Sequence, residues 1–211
     1  MLTLRSPALT WAVTGLATRE LRSWQSGCLG VNTAVTSLVV CKNDISDEGA
    51  IPLARCLRVN TTLTSLDLGE NKIGNAGAKE LAECLRVNKT LTNLDLRHNG
   101  IGAAGVTRLA ECLHVNTALT SLMKLSKNDI GDEGAAQLAV YLRGNNTLTE
   151  LDLSDTGIGD ASVMQLAECL RVNAALLSLD LASNRFGNKA ARALEAACPP
   201  PCVLLVCVAA L

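Results

Sequence analysis

The chain almost lacks aromatic side chains. Two Trp, one Tyr and one Phe make up 2% of its 211 residues, although 48% of the residues are hydrophobic. A core of that composition has to be aliphatic, built from many small equivalent layers rather than a few large anchors. A dominant charge is missing too. Nineteen basic and 20 acidic residues leave a net charge of −1, so nothing global points to nucleic acid or to an anionic membrane surface. Long apolar runs are also absent. "VLLVCVAAL" at 203–211 has nine residues, against the roughly 20 that cross a bilayer. The first 20 residues carry Arg5 and no acid before Glu20, as a targeting segment would, but Thr and Pro interrupt the apolar part. The tail has Val208 where a prenylation box needs Cys.

Chemistry-bearing motifs are equally scarce. The two histidines are His98 and His114, and no nucleophile elbow, phosphate loop or glycine-rich fingerprint occurs. The expectation is no enzyme, no cofactor and no metal. Nine cysteines stand against that scarcity, but Cys28, Cys56, Cys84 and Cys112 lie 28 residues apart, with Cys169 in the same column. On successive helices about 9 Å apart, they exceed the roughly 4.4 to 6.8 Å between Cα atoms that a disulfide tolerates. They read as small buried residues at helix contacts, reduced, in a cytoplasmic protein. Cys198, Cys202 and Cys207 have no C-x-x-C pair and no partner His.

What the chain does have is a repeat. Asn32, Asn60, Asn88 and Asn116 are 28 apart, Asn145 follows after 29 and Asn173 after 28 more. Within each unit the period switches. Leu63, Leu66 and Leu68 read as a short strand. Ala78, Leu81, Ala82 and Leu85 then follow helical spacing, and the other units carry equivalents such as Val106, Leu109, Ala110 and Leu113. Asp47, Asn75, Asp132, Asp160 and Asn188 stand where helices begin, so they are expected to cap them. The Asn that opens each unit is expected to be left-handed, ending the preceding helix. A second column, Asn43, Asn71, Asn99, Asn128 and Asn184, is expected to bond backbone groups of adjacent turns, and Thr156 interrupts it. Three glycosylation sequons, at Asn60, Asn88 and Asn145, read as coincidences of this consensus.

The phrase L-x-x-L-x-L-x-x-N-x-I-G followed by a Cys-bearing helix resembles the leucine-rich repeat of the ribonuclease-inhibitor type. It is similar also to the sensor regions of NOD-like receptors and to Ran GTPase-activating proteins. The resemblance implies an α/β fold, a right-handed solenoid with parallel strands on the concave face and helices on the convex face. Strands about 4.8 Å apart and helices about 9 Å apart, in layers about 10 Å apart, would turn each repeat by roughly 24°. The expected organisation is a degraded capping repeat at 1–31, six repeats at 32–200, and an apolar tail at 201–211 able to add an edge strand. The function implied is a non-enzymatic protein-interaction module, part of a sensor or scaffold. The alternative is a regulator of an enzyme, of the ribonuclease-inhibitor or GTPase-activating type.

Strand residues between the inward leucines point outward. The partner-binding candidates on that face are Asp67, Glu70, Asp95, Arg97, His98, Lys124, Lys127, Glu150, Asp152, Asp155 and Asp180. Seven acids against three bases suggest an acidic groove for a partner with a basic surface. The competing reading is that the Asp of "LDL" belongs to the repeat consensus whatever binds. The sequence carries no signal for oligomeric state. Repeat four, "LTSLMKLSKN", holds one residue too many. Leu122 and Leu125 are both expected to point inward, which confines the surplus to a bulge at Met123-Lys124 and turns Lys124 toward Asp95 and Asp152.

Overall fold

The computed structural model describes residues 9–12, 33–120, 122–198 and 203–205. Eight strands form one open, all-parallel sheet in sequential order: β1 (Leu9–Ala12), β2 (Val35–Val39), β3 (Ser65–Asp67), β4 (Asn93–Asp95), β5 (Leu122–Lys124), β6 (Glu150–Asp152), β7 (Ser178–Asp180) and β8 (Val203–Leu205). Among the described residues, six helices alternate with them: α1 (Asp47–Val59), α2 (Asn75–Leu85), α3 (Ala103–Leu113), α4 (Gly131–Leu142), α5 (Asp160–Leu170) and α6 (Asn188–Ala197). Each helix packs on the next, as each strand pairs with the next. This is an α/β solenoid in which every repeat contacts its neighbours. β1 and β8 extend the sheet at its two ends. The stretch "SGCLGVN", expected to close a capping repeat, lies outside the described residues.

The core is the aliphatic ladder that the composition requires. Leu63, Leu66 and Leu68, with Ala78, Leu81, Ala82 and Leu85, are buried, and so are their equivalents in the neighbouring repeats. Each large side chain so placed contributes about 1.5–3 kcal/mol of transfer free energy. Cys56, Cys84, Cys112 and Cys169 are buried at the helix contacts.

Three local expectations need correction. The first concerns helix caps. The N-cap residues are Ser46, Gly74, Gly102, Ile130, Gly159 and Gly187, and none makes a side-chain cap bond. Asp47 instead caps the following helix: its Oδ1 accepts from the N–H groups of Gly74 at 2.9 Å and Gly77 at 2.5 Å. Asn75 Oδ1 does the same for Gly102 and Gly105, both at 2.9 Å. Asp132 serves Gly159 N–H and the Ser162 hydroxyl, and Asp160 serves Gly187 N–H. The stacked helices start side by side, so the carboxylate that a local rule assigns to its own helix reaches the neighbour's orphan donors. Gly77 is required by the same closeness, because a Cβ there would lie 2.7 Å from Ile73 Cγ2 and 2.9 Å from Asp47 Oδ1.

The second correction concerns the Asn that opens each unit. Asn60 is extended, with φ −73 and ψ 130. Among the described residues, the left-handed positions other than glycine are Lys42, Asp44, Glu70, His98, Lys127, Asp155 and Ser183. Asn88 works through its side chain. Its Oδ1 accepts from Thr90 and Leu91, and its Nδ2 donates to Leu57 O at 2.7 Å and Asn60 O at 3.2 Å in the preceding repeat. The sequon residues Asn60, Asn88 and Asn145 are all buried. Stitching in the second Asn column matches expectation. Asn71 Oδ1 accepts from Asn43 and Ile45, while its Nδ2 donates to Val40 O, Leu68 O and Gly69 O.

The third correction concerns the surplus residue. β4, β5 and β6 pair in unbroken register, Asn93 with Leu122 and Glu150, Leu94 with Met123 and Leu151, Asp95 with Lys124 and Asp152. Met123, fully buried, fills the leucine column. Thr120 O accepts from Thr149 N–H as Thr64 O accepts from Thr92 N–H. The extra residue therefore falls between Thr120 and Leu122, upstream of the strand, and there is no bulge at Met123-Lys124. Leu122 takes the register position of Asn93 and Glu150, and Met123 takes that of Leu94 and Leu151.

Repeat four departs from the pattern in one more way. Ala103 cannot cap α4, and Thr156 cannot replace the Asn acceptor for the turn before it. There Gly131 N–H bonds Thr156 O at 2.9 Å, Ile130 is helical, and Gly131 has φ 59. Glycine meets that positive φ without steric cost.

Candidate functional site

The concave face is four columns of side chains set by the strand register. The first runs Ser37, Ser65, Asn93, Leu122, Glu150, Ser178 and Val203. The second runs Val39, Asp67, Asp95, Lys124, Asp152, Asp180 and Leu205. Just beyond the strands come Cys41, Gly69, Arg97, Ser126, Ser154 and Ala182. The fourth column is the left-handed one, Lys42, Glu70, His98, Lys127, Asp155 and Ser183. A left-handed residue turns the backbone sharply at the strand's end, so the last column marks the rim of the face.

The Asp of the second column has a structural task. Asp67 Oδ1 accepts from Gly69 N–H at 2.8 Å, Asp95 Oδ1 from Arg97 N–H at 3.0 Å, Asp152 Oδ1 from Ser154 N–H at 3.0 Å, and Asp180 Oδ1 from Ala182 N–H at 2.9 Å. Each closes the turn leaving its strand, two residues on. The Lys124 ammonium has no acceptor for Ser126 N–H. Lys124 is nevertheless drawn toward Asp95, with Nζ 3.7 Å from Oδ2. Toward Asp152, the other neighbour expected for it, no ion pair forms.

Arg97 organises the first half of the face. Its guanidinium lies 3.1 Å from Asp95 Oδ2 and 3.9 Å from Asp67 Oδ2. Gly69 makes room for this arm: a Cβ there would stand 3.0 Å from Arg97 Cγ and 3.1 Å from its Nε. Asp95 is 9% exposed. Burial pushes its carboxyl above the ordinary carboxylate value, with Asp67 adding to the push, while the Arg97 N–H bond and the Arg97 and Lys124 charges pull the other way. At the rim, Lys42 pairs with Glu70 at 3.4 Å, and Lys72 with Asp44 at 2.8 Å.

The second half has no such compensation. Glu150 and Asp155 are exposed, and Asp152 and Asp180 are half-buried. Among the described residues, none of the four is within ion-pair distance of a cation, and every concave ion pair lies in repeats one to four. Beside this open acidic zone stand apolar groups. Val203 is 55% exposed, Leu205 51% and Leu177 41%, and Val203 and Leu205 continue the first two columns onto β8. His98, Lys127 and Asp155, with Lys72 and Asp129, line an open groove of about 840 Å³ at the rim.

The eleven candidates thus share one face but divide in two. Asp67, Glu70, Asp95, Arg97 and Lys124 are engaged with one another or with Lys42. Glu150 and Asp155 are exposed and Asp152 and Asp180 half-buried, all four without a cation within ion-pair distance among the described residues, and His98 and Lys127 join Asp155 at the groove. Sequence reasoning missed Gly69 as the seat of Arg97. Its signal was a residue without a side chain where the neighbouring repeats carry Cys41 and Arg97.

A family model described as "Leucine Rich repeat" matches residues 31–54, 59–82, 87–110, 115–139, 144–167 and 172–194, most of the chain. A comparison with curated proteins finds no match. Among solved structures, the chain is similar to the actin-binding site 2 of leiomodin-1, with TM-score 0.60 and 22% identity over 68% of this chain and 84% of that one. It is similar also to an internalin of Listeria monocytogenes, with TM-score 0.53 and 21% identity over 87% of this chain and 44% of that one. The chain therefore spans less than half of that internalin. At these identities the likeness is one of fold.

Proposed function

The chain belongs to the leucine-rich repeat family, and from that premise we propose that it is a non-enzymatic protein-interaction module, part of a sensor or scaffold, that takes up a partner on its concave face. The observation that carries the reading is the division of charge. Repeats two to four neutralise their own acids, and repeats five and six leave Glu150, Asp152, Asp155 and Asp180 unpaired beside Val203 and Leu205. An array of unpaired carboxylates edged by exposed aliphatic groups fits a segment with Lys or Arg next to apolar side chains. The similar leiomodin-1 structure is an actin-binding site, a module of this fold that contacts protein, which supports the reading.

The repeat type we favour is that of ribonuclease inhibitor, because every unit carries a full α-helix of 10 to 13 residues on the convex side. A cytoplasmic setting agrees with four buried thiols held apart in one column. The test is capture from a cell lysate with the wild-type chain and with Glu150→Lys/Asp155→Lys, the captured proteins being identified by mass spectrometry. Both changes fall on exposed side chains, and Lys127 shows that lysine suits the left-handed column. Proteins retained by the wild type should be lost by the double variant and kept by a control, Lys79→Glu, at an exposed position of α2. Equal capture by the double variant would sink the proposal.

A further inference from the structure

A net charge of −1 conceals a segregation that the structure makes visible. Every helix from α1 to α5 ends in the same short turn before the next strand. These turns read "RVNTT" at 58–62, "RVNKT" at 86–90, "HVNTA" at 114–118, "RGNNT" at 143–147 and "RVNAA" at 171–175. No acid occurs in any of them. Arg58, Arg86, His114, Arg143 and Arg171 form one exposed column, and Lys89 adds a further exposed cation. Beside it runs an apolar column: Val59 is 64% exposed, Val87 53%, Val115 43% and Val172 66%. The fourth rung has Gly144, where a Cβ would stand 3.2 Å from His114 Nδ1, so the His114 ring covers the place of that valine.

A cation at a helix C-terminus is explained in part by the helix dipole. The valines are not. Single exposed apolar groups are ordinary, but these recur in one column. Neither the core nor the concave face uses them. The strands from β2 to β7 pair without stagger, Ser37 with Ser65, Asn93, Leu122, Glu150 and Ser178 in turn. Equivalent residues therefore stand at one level, and the helix-end turns form a single flank. A flat partner can touch every rung of such a flank at once and needs no register of its own. Guanidinium forks suit phosphate oxygens, and shallow apolar groups between them suit the headgroup boundary.

We propose that this flank is a peripheral docking surface for an anionic lipid bilayer, through the arginine column Arg58, Arg86, Arg143 and Arg171 and the valine column beside it. The surface is separate from the concave face, so a partner can occupy that face while the flank rests on a membrane. No segment crosses the bilayer in this arrangement, and among the described residues no helix is long and apolar enough to do so.

The experiment is co-sedimentation of the whole chain with phosphatidylcholine vesicles, with and without phosphatidylserine, at low and high salt. Binding should require phosphatidylserine and fall as salt rises. Arg86→Glu/Arg171→Glu should weaken it by about tenfold or more, and Arg86→Gln/Arg171→Gln by a smaller factor. Val87→Ser/Val172→Ser should weaken it at both salt concentrations. Glu150→Lys/Asp155→Lys on the concave face should not weaken it, which separates failure here from failure of the concave-face reading. All the changed residues are exposed, and circular dichroism and urea midpoints check that each variant folds. Absence of binding to the anionic vesicles, equal binding to both kinds, or binding indifferent to the arginine changes would overturn the proposal.

Discussion

Asn128→Ala tests whether the side-chain ladder, rather than the leucine core alone, holds the repeats in register. Asn128 is 3% exposed. Its Oδ1 accepts from Asn99 N–H and Ile101 N–H, both at 3.0 Å. Its Nδ2 donates to Leu96 O at 2.9 Å, Leu125 O at 2.9 Å and Ser126 O at 3.3 Å. Alanine removes five bonds, and the two N–H groups matter most. Each buried donor left without an acceptor costs about 1–3 kcal/mol, and the carbonyls have other lone pairs. Water reaching the loop will recover part of this, so the expected loss is about 3 kcal/mol. Urea denaturation measures the total, and hydrogen exchange locates it: the amides of Asn99 and Ile101 should exchange much faster, while that of Leu38, three repeats away, should not change. Asn128→Thr is the internal comparison. Thr156 already occupies this column and donates to Leu153 O at 2.6 Å, so threonine should recover one donor bond and cost less than alanine. A loss under about 1 kcal/mol, with unchanged exchange at Asn99 and Ile101, would refute the reasoning.

Burial pushes the Cys84 and Cys112 thiols up to about 12 and that of Cys169 to about 11, from an ordinary 9.0. The unfolded chain therefore ionises these groups first; their contribution to stability is intact below pH 9.0 and is lost as pH climbs from there toward the folded values. Urea midpoints should fall over that range, less so in Cys84→Ala/Cys112→Ala, and thiol probes should label these cysteines in the native chain only after denaturant is added. Deleting Ser121 gives Thr120 and Leu122 the spacing that Thr92 and Asn93 have, so it should leave the fold intact and cost about 1 kcal/mol or less. Met123→Ala empties a leucine position and should cost about 3 kcal/mol, and equal costs in the two urea melts would contradict the register of β5. Lys124→Asp gives Ser126 N–H an acceptor but removes a cation from beside Asp95 and adds a like charge. The Asp95 carboxyl, already raised, should titrate higher still by NMR. Its ionisation then opposes folding, so the variant should be closest to wild type at acid pH and lose ground as pH rises through the carboxylate range. An unshifted Asp95 would show that Lys124 does not act on it.

The period, the leucine positions and the helical Ala–Leu faces were legible because every signal occurs six times, and each copy corrects the next. The caps were not. Asp47 and the N–H groups it serves on Gly74 and Gly77 are 27 and 30 residues apart, and a rule that looks within a single turn assigns Asp47 to its own helix. The left-handed column was hidden for a different reason. It is filled by Lys42, Glu70, His98, Lys127 and Asp155, most of them residue types that carry no turn signal. The surplus residue was misplaced because two anchors were both trusted. Leu122 matched a leucine in sequence, but Met123 fills that column, and the leucine moved to the register position of Asn93 and Glu150.

The candidate site was legible as a face and illegible as a mechanism, and the Asp column shows why. Asp67, Asp95, Asp152 and Asp180 all make the same bond to the N–H two residues on. Backbone need alone accounts for an acid at each of these places, so its recurrence says nothing about a partner. Information about a partner has to lie in what the repeats do not share. Arg97 and Lys124 are such differences, and they cancel the acids of repeats two and three. Repeats five and six have no counterpart to them. The same four aspartates are thus alike in bonding and unlike in net field. That field depends on which cations stand one strand away, a relation between residues about 28 positions apart that no single copy of the motif contains. The flank of helix-end turns follows the same logic in reverse. There the repeats do share their charge, and what structure alone leaves unexplained is the valine beside it.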